Sequence, residues 1–108
     1  MNLLFIHANF PGQFLTLAPY LASNISGRTV FLTESDNPQG LVLKGVECVR
    51  FKPHREIRSD CHPYLRFSEN AVLRGQAAVK AIEQLRSNGF SPDVVIFHGG
   101  MGFGLFLK

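Results

Sequence analysis

The sequence predicts an α/β domain built on a parallel sheet of about four strands, with helices covering both faces. Three observations predict it. Short apolar runs recur at residues 2–6, 28–33 and 93–97, too continuously apolar for strands with one wet face, and a further strand pattern lies over 46–51. Helical periodicity lies between them, with Phe14, Leu17, Ala18 and Leu21 spaced for one buried face and Val72, Gly75, Ala78, Val79, Ile82 and Leu85 for another. The first and last runs each feed a Gly-containing turn, His7-Ala8-Asn9-Phe10-Pro11-Gly12 and His98-Gly99-Gly100-Met101-Gly102. Strand, turn and helix start, in that order, form the unit by which α/β proteins hold anions.

Taken in order, residues 2–6 form the first strand and residues 13–24 the first helix. Pro19 inside that helix removes a backbone donor and predicts a kink or a short second half. Ser26-Gly27 ends it, and residues 28–33 are the second strand. Residues 34–40, rich in turn formers, lead to a third strand over 46–51 between Gly45 and Pro53. No periodicity appears from Pro53 to Asp60, which reads as a loop. His62-Pro63 opens a long helix, Pro63 being suited to a first helical position. Ser87-Asn88-Gly89 closes it, and Pro92 lies beyond. Residues 93–97 are the fourth strand, with an apolar, helical beginning over 103–108. Phe31, Phe51 and Phe97 are read as core. Four strands and an unfinished helix make half of a doubly wound domain, so the chain is expected to be a fragment of a longer protein. An uncovered apolar sheet edge makes a homodimer a further expectation.

Composition narrows the function. The chain has 108 residues, 45% hydrophobic and 18% charged, with ten Phe and no Trp, which describes one globular domain. A net charge of +3 allows an acidic ligand but lacks the clustered basic, aromatic-interleaved face of a nucleic-acid binder. Cys48 and Cys61 have no metal-type spacing and read as free thiols in a reducing compartment. No run approaches a membrane span and the amino terminus lacks signal-peptide features, so the cytoplasm is expected.

Several residues carry two readings. His98 is either a backbone-bonded polar residue at a strand end or a cleft histidine beside glycines. His7 reads first as a local hydrogen-bonder. Gly12, Gly99 and Gly100 either supply positive φ or let a ligand approach. Arg50, Lys52, His54, Arg55 and Arg58 place five basic or potentially basic residues within nine. That run, Arg55 included, is either a solvated loop or a contact for an anionic acceptor or lipid phosphate. His62 reads first as a helix start and second as a cleft contact. Asp93 precedes its strand at the end away from the turns, where catalysis is not expected.

Phe5-Ile6-His7-Ala8-Asn9-Phe10-Pro11-Gly12-Gln13-Phe14, Leu17-Ala18-Pro19, His62-Pro63-Tyr64-Leu65, Ala71-Val72-Leu73-Arg74-Gly75-Gln76 and Pro92-Asp93-Val94-Val95-Ile96 resemble the N-terminal domain of a bacterial branch of the family 4 (group 1) glycosyltransferases. The resemblance runs over essentially the whole chain. It implies a Rossmann-like, GT-B N-terminal domain facing the sugar acceptor. A second domain, absent here, would hold the nucleotide-sugar donor. It further implies transfer with retention at the anomeric carbon, without a metal or other cofactor, the nucleotide-sugar being a substrate and the acceptor a sugar or a lipid-linked sugar. By position, Pro11, Gly12 and Gln13 match the loop near the donor phosphates and acceptor, and His98 matches a cleft histidine near the reacting sugar. Where that branch often reads Gly-Trp-Gly-Glu after the histidine, this chain reads Gly100-Met101-Gly102-Phe103. The alternative reading is a stand-alone nucleotide- or phosphate-binding, or self-associating, α/β module without catalysis.

Overall fold

The computed structural model describes residues 1–10, 12–37, 40–97 and 102–107. Four strands, β1 Leu3–His7, β2 Thr29–Thr33, β3 Val46–Arg50 and β4 Val94–Phe97, form one parallel sheet in the order β3-β2-β1-β4. Helix α1, Leu17–Asn24, joins β1 to β2, and helix α2, Arg66–Ser87, joins β3 to β4. One-turn 3-10 segments, Gly12–Phe14 and Pro63–Leu65, precede the two helices. The result is the incomplete, Rossmann-like α/β architecture that the sequence predicts.

The period-2 alternation of the strands divides the core into two layers. Leu3, Phe5 and Phe31 point to one face, where they meet Phe10, Phe14, Ala18 and Leu43. Leu4, Ile6, Val30 and Leu32 point to the other, against Ala77, Ala78, Phe90 and Phe103. Every residue of β1 and β2 is buried, which is why both read as unbroken apolar runs. Aromatic rings fill the α1 layer: Phe10 meets Phe31 edge-on at 4.9 Å and Phe5 lies 5.2 Å from Phe14. Burying each such ring contributes about 1.5–3 kcal/mol.

Polar bonds lock the amino end of the sheet. The Asn2 N–H donates to Asp93 Oδ2 at 2.7 Å, Asn2 Nδ2 donates to the Ser91 carbonyl, and the Arg28 N–H donates to Asn2 Oδ1. Asp93 is therefore a structural clasp at the end away from the turns, as its position before β4 predicts. At the carboxyl end of α2, Gly89 takes φ +93°, and the Phe90 N–H returns to the Leu85 carbonyl at 2.9 Å with its ring buried. This is the expected glycine stop.

The structure corrects four expectations. The first helix does not run over 13–24: a 3-10 turn occupies Gly12–Phe14 and α1 begins at Leu17. Pro19 then falls in the first turn of α1, where its missing N–H has no helical partner to lose, and no kink is needed. Phe97 is not core but 42% exposed, because β4 is an edge strand paired only with β1. Leu17 and Val72, expected on buried stripes, are 41% exposed each, and Leu73 and Ala77 take the inner positions of α2. Residues 103–107 form successive turns in place of a helix, the Leu105 N–H bonding the Gly102 carbonyl and the Leu107 N–H the Gly104 carbonyl. Phe103 alone of that segment is fully buried.

Candidate functional site

Strand order makes one end of the sheet special. The chain leaves β1 for β2 on one side and later returns from β3 to pair β4 on the other side of β1. The carboxyl ends of β1 and β4 therefore stand at a topological switch point, the usual ligand position in open α/β sheets. His7 and Phe97 stand at those two ends.

His7 and Gly12 shape the β1 turn. His7 continues the inward row of Leu3 and Phe5, and its ring meets Phe14 edge-on at 5.7 Å. The Asn9 N–H donates to His7 Nδ1 at 3.0 Å, so the neutral imidazole carries its proton on Nε2. Gly12 has φ +56° and lies on the ring: a Cβ there would come within 2.7 Å of it. A glycine is thus required twice over, by the backbone angle and by the imidazole beneath. The turn is braced from β2, where the fully buried Thr33 hydroxyl donates to the Ala8 carbonyl at 3.0 Å and accepts from the Ser35 N–H.

A second polar group sits at the same end. Arg74, on α2, bonds Asn70 Oδ1 at 2.9 Å and pairs with Glu34, just past β2, at 3.3 Å, both side chains largely buried. Burial pushes the Glu34 carboxyl above its ordinary value, Arg74 pulls it back, and the neighbouring Glu56 charge adds to the rise. Arg50 Nε donates to the Glu34 carbonyl, tying β3 to the same loop. Sequence reasoning missed Thr33, Glu34 and Arg74. The available signal was an arginine in the Ala-Val-Leu-Arg-Gly-Gln block, between the buried Leu73 and Gly75.

The other sequence candidates are distributed as follows. Gly12 follows β1 at the switch point of the sheet. Pro11, His98, Gly99 and Gly100 lie outside the described residues, and of Gln13 the structure describes the backbone, inside the first 3-10 turn. His62 caps the second 3-10 turn, its Nδ1 accepting from the Tyr64 N–H at 3.1 Å, which is its helix-start reading. Arg55 is engaged by Glu69 at 2.8 Å and by the Glu56 carbonyl. Glu69 is in turn held below the ordinary carboxylate range, first by the Cys61 thiol and then by Arg55. Both cysteines are free thiols. Among the described residues no three His, Cys, Asp or Glu side chains converge as a metal site, and no helix is long and apolar enough to cross a membrane.

A parallel sheet in this order defines an open α/β fold, a class in which ligands commonly bind at the carboxyl ends of the strands. The family model of the glycosyl transferase family 4 group matches residues 26–108, and the chain belongs to that family. No curated protein and no solved structure matches it. The family match begins after β1 and its turn, so the case for Gly12 stands on the turn's own geometry.

Proposed function

We propose that this chain is the acceptor-side, N-terminal domain of a retaining glycosyltransferase of GT-B type. It would move a sugar from a nucleotide-sugar donor to an acceptor hydroxyl. The family match over residues 26–108 is the observation that carries this reading. In it, a second, donor-binding domain closes over the carboxyl ends of β1 and β4, and the chain alone transfers nothing. The nucleotide-sugar enters as a substrate, with no resident cofactor or metal.

Each local group then has a chemical task. Transfer needs stabilisation of the departing diphosphate and a fixed acceptor hydroxyl. Pro11, Gly12 and Gln13 would line the approach of donor phosphates, with Gly12 allowing close passage along the backbone. His98, after β4, would hydrogen-bond the transferring sugar or the acceptor, flanked by Gly99 and Gly100. His62, just before α2, would contact the outer part of an anionic acceptor, and Arg55, on the loop before it, would join only by exchanging its Glu69 partner. His7 acts as a positioning residue beneath Gly12.

The test is transfer itself. The chain is paired with a donor-binding domain of the same family, offered nucleotide-activated sugars, and the anomeric configuration of the product is read by NMR. The expected product keeps the donor's configuration, and the chain alone releases no nucleoside diphosphate. An inverted product, or turnover by the chain alone, overturns the proposal.

A further inference from the structure

The net charge of this protein is confined to one segment. Residues 50–67 hold five basic residues, Arg50, Lys52, Arg55, Arg58 and Arg66, against two acids, Glu56 and Asp60. Outside it, six Lys and Arg are balanced by six Asp and Glu, so the segment alone accounts for the chain's +3. The same segment ends in the most exposed aromatic side chains among the described residues. Tyr64 is 88% exposed and Phe67 72%, with Leu65 between them at 58%. Basic charge and bare apolar surface coincide nowhere else to this degree among the described residues.

The local geometry makes this a formed tip and not a floppy loop. His62 caps the 3-10 turn, its ring meets Tyr64 edge-on at 5.0 Å, and the Leu65 N–H bonds the His62 carbonyl at 2.8 Å. Arg66 stands between Leu65 and Phe67, and the Cys61 N–H bonds the Arg58 carbonyl at 3.1 Å, so both exposed arginines flank the tip. Arg55 is spent on Glu69, which leaves Arg58 and Arg66 as its outward charges. The apolar side chains project as knobs from a short turn and do not line a groove. A peptide or a packed protein surface would need a complementary pocket for each knob. A lipid headgroup layer accepts aromatic side chains at its boundary without one, and anionic headgroups match the flanking arginines.

We propose that the tip formed by Tyr64, Leu65 and Phe67, with Arg58 and Arg66 at its flanks, is a peripheral docking surface for a bilayer containing anionic phospholipid. Helix α2 starts there and runs back along the sheet, so the tip lies at the carboxyl end of the strands. Docking would hold the carboxyl ends of the strands beside the membrane surface, within reach of a lipid-linked substrate. The surface itself does not depend on glycosyl transfer, and its test is independent of activity.

The chain has no Trp, so Phe67→Trp supplies a single fluorescent reporter at the tip. The full 108-residue chain is mixed with phosphatidylcholine vesicles, with or without phosphatidylglycerol. Blue-shifted emission and co-sedimentation are expected only with the anionic vesicles, and both should decline with added salt. Arg58→Gln and Arg66→Gln should each weaken partitioning about fivefold. The double variant Tyr64→Ser, Phe67→Ser, whose sites are exposed, should melt like the parent yet lose partitioning by at least roughly tenfold. Absence of co-sedimentation by the unmodified chain overturns the proposal without any variant. So does equal binding to neutral vesicles, or binding indifferent to Tyr64 and Phe67. Should the tip instead be covered by another protein, vesicles will leave the emission of the Phe67→Trp variant unshifted, and the proposal fails.

Discussion

Gly12 shows what a single residue settles here. With φ +56° and an imidazole directly beneath, any side chain must both strain the backbone and push His7 aside. Gly12→Ala should cost about 1–3 kcal/mol in urea unfolding. Part of that loss should vanish in a His7→Ala background, because only the backbone strain remains, and strict additivity of the two changes would contradict the contact. Glu34 carries a second prediction. Its folded pKa is raised, so its protonated form favours the folded state. That contribution is complete below the ordinary value of 4.5 and is lost as pH rises through the folded midpoint. An NMR titration of its carboxyl should give a midpoint above 4.5, and Arg74→Met should move it higher still by removing the cation that opposes the rise. A midpoint at or below 4.5 would contradict the burial at that site. Gly12 was legible in the sequence because a turn after an apolar strand has a local signature. Glu34 and Arg74 were not, since their pairing exists only once α2 lies over the sheet.

Among the elements, β1 and β2 were the easiest to read and β4 the most misleading. Val94-Val95-Ile96-Phe97 has the composition of a strand buried on both faces, yet it pairs only with β1, and Val94 and Phe97 stay partly exposed. Apolar composition reports what a strand is built to meet, whereas burial depends on which neighbours it has. The contrast is measurable. Phe31→Ala, in the fully buried β2, should cost about 3–5 kcal/mol, whereas Phe97→Ala should cost about 1 kcal/mol. Equal losses would contradict the strand order. Helix α1 teaches a related lesson. Periodicity located its buried residues Phe14 and Ala18, but not that they belong to separate turns. Pro19 was the clue, because a proline is better accommodated in the first turn of a helix than in its interior, which moves the start of α1 towards Leu17.

For the molecule as a whole, parallel strands in the order β3-β2-β1-β4 put the β1 turn, the Glu34–Arg74 pair and the start of α2 at one end, and the Asn2–Asp93 clasp at the other. Alternating strands and helices made that polarity readable from sequence, since parallel strands with crossover helices gather their following loops on one side. What sequence pattern could not supply was the packing of His7 under Gly12. In the proposed function, this end is the reacting face of a family 4 glycosyltransferase. Its most direct test is the rate of nucleoside diphosphate release by the chain paired with a donor-binding domain, comparing the parent with Gly12→Val. The predicted result is a loss on the order of 100-fold with the circular dichroism of the sheet retained, as expected when a reacting group is displaced by about an ångström. An undiminished rate from a folded Gly12→Val protein would contradict it.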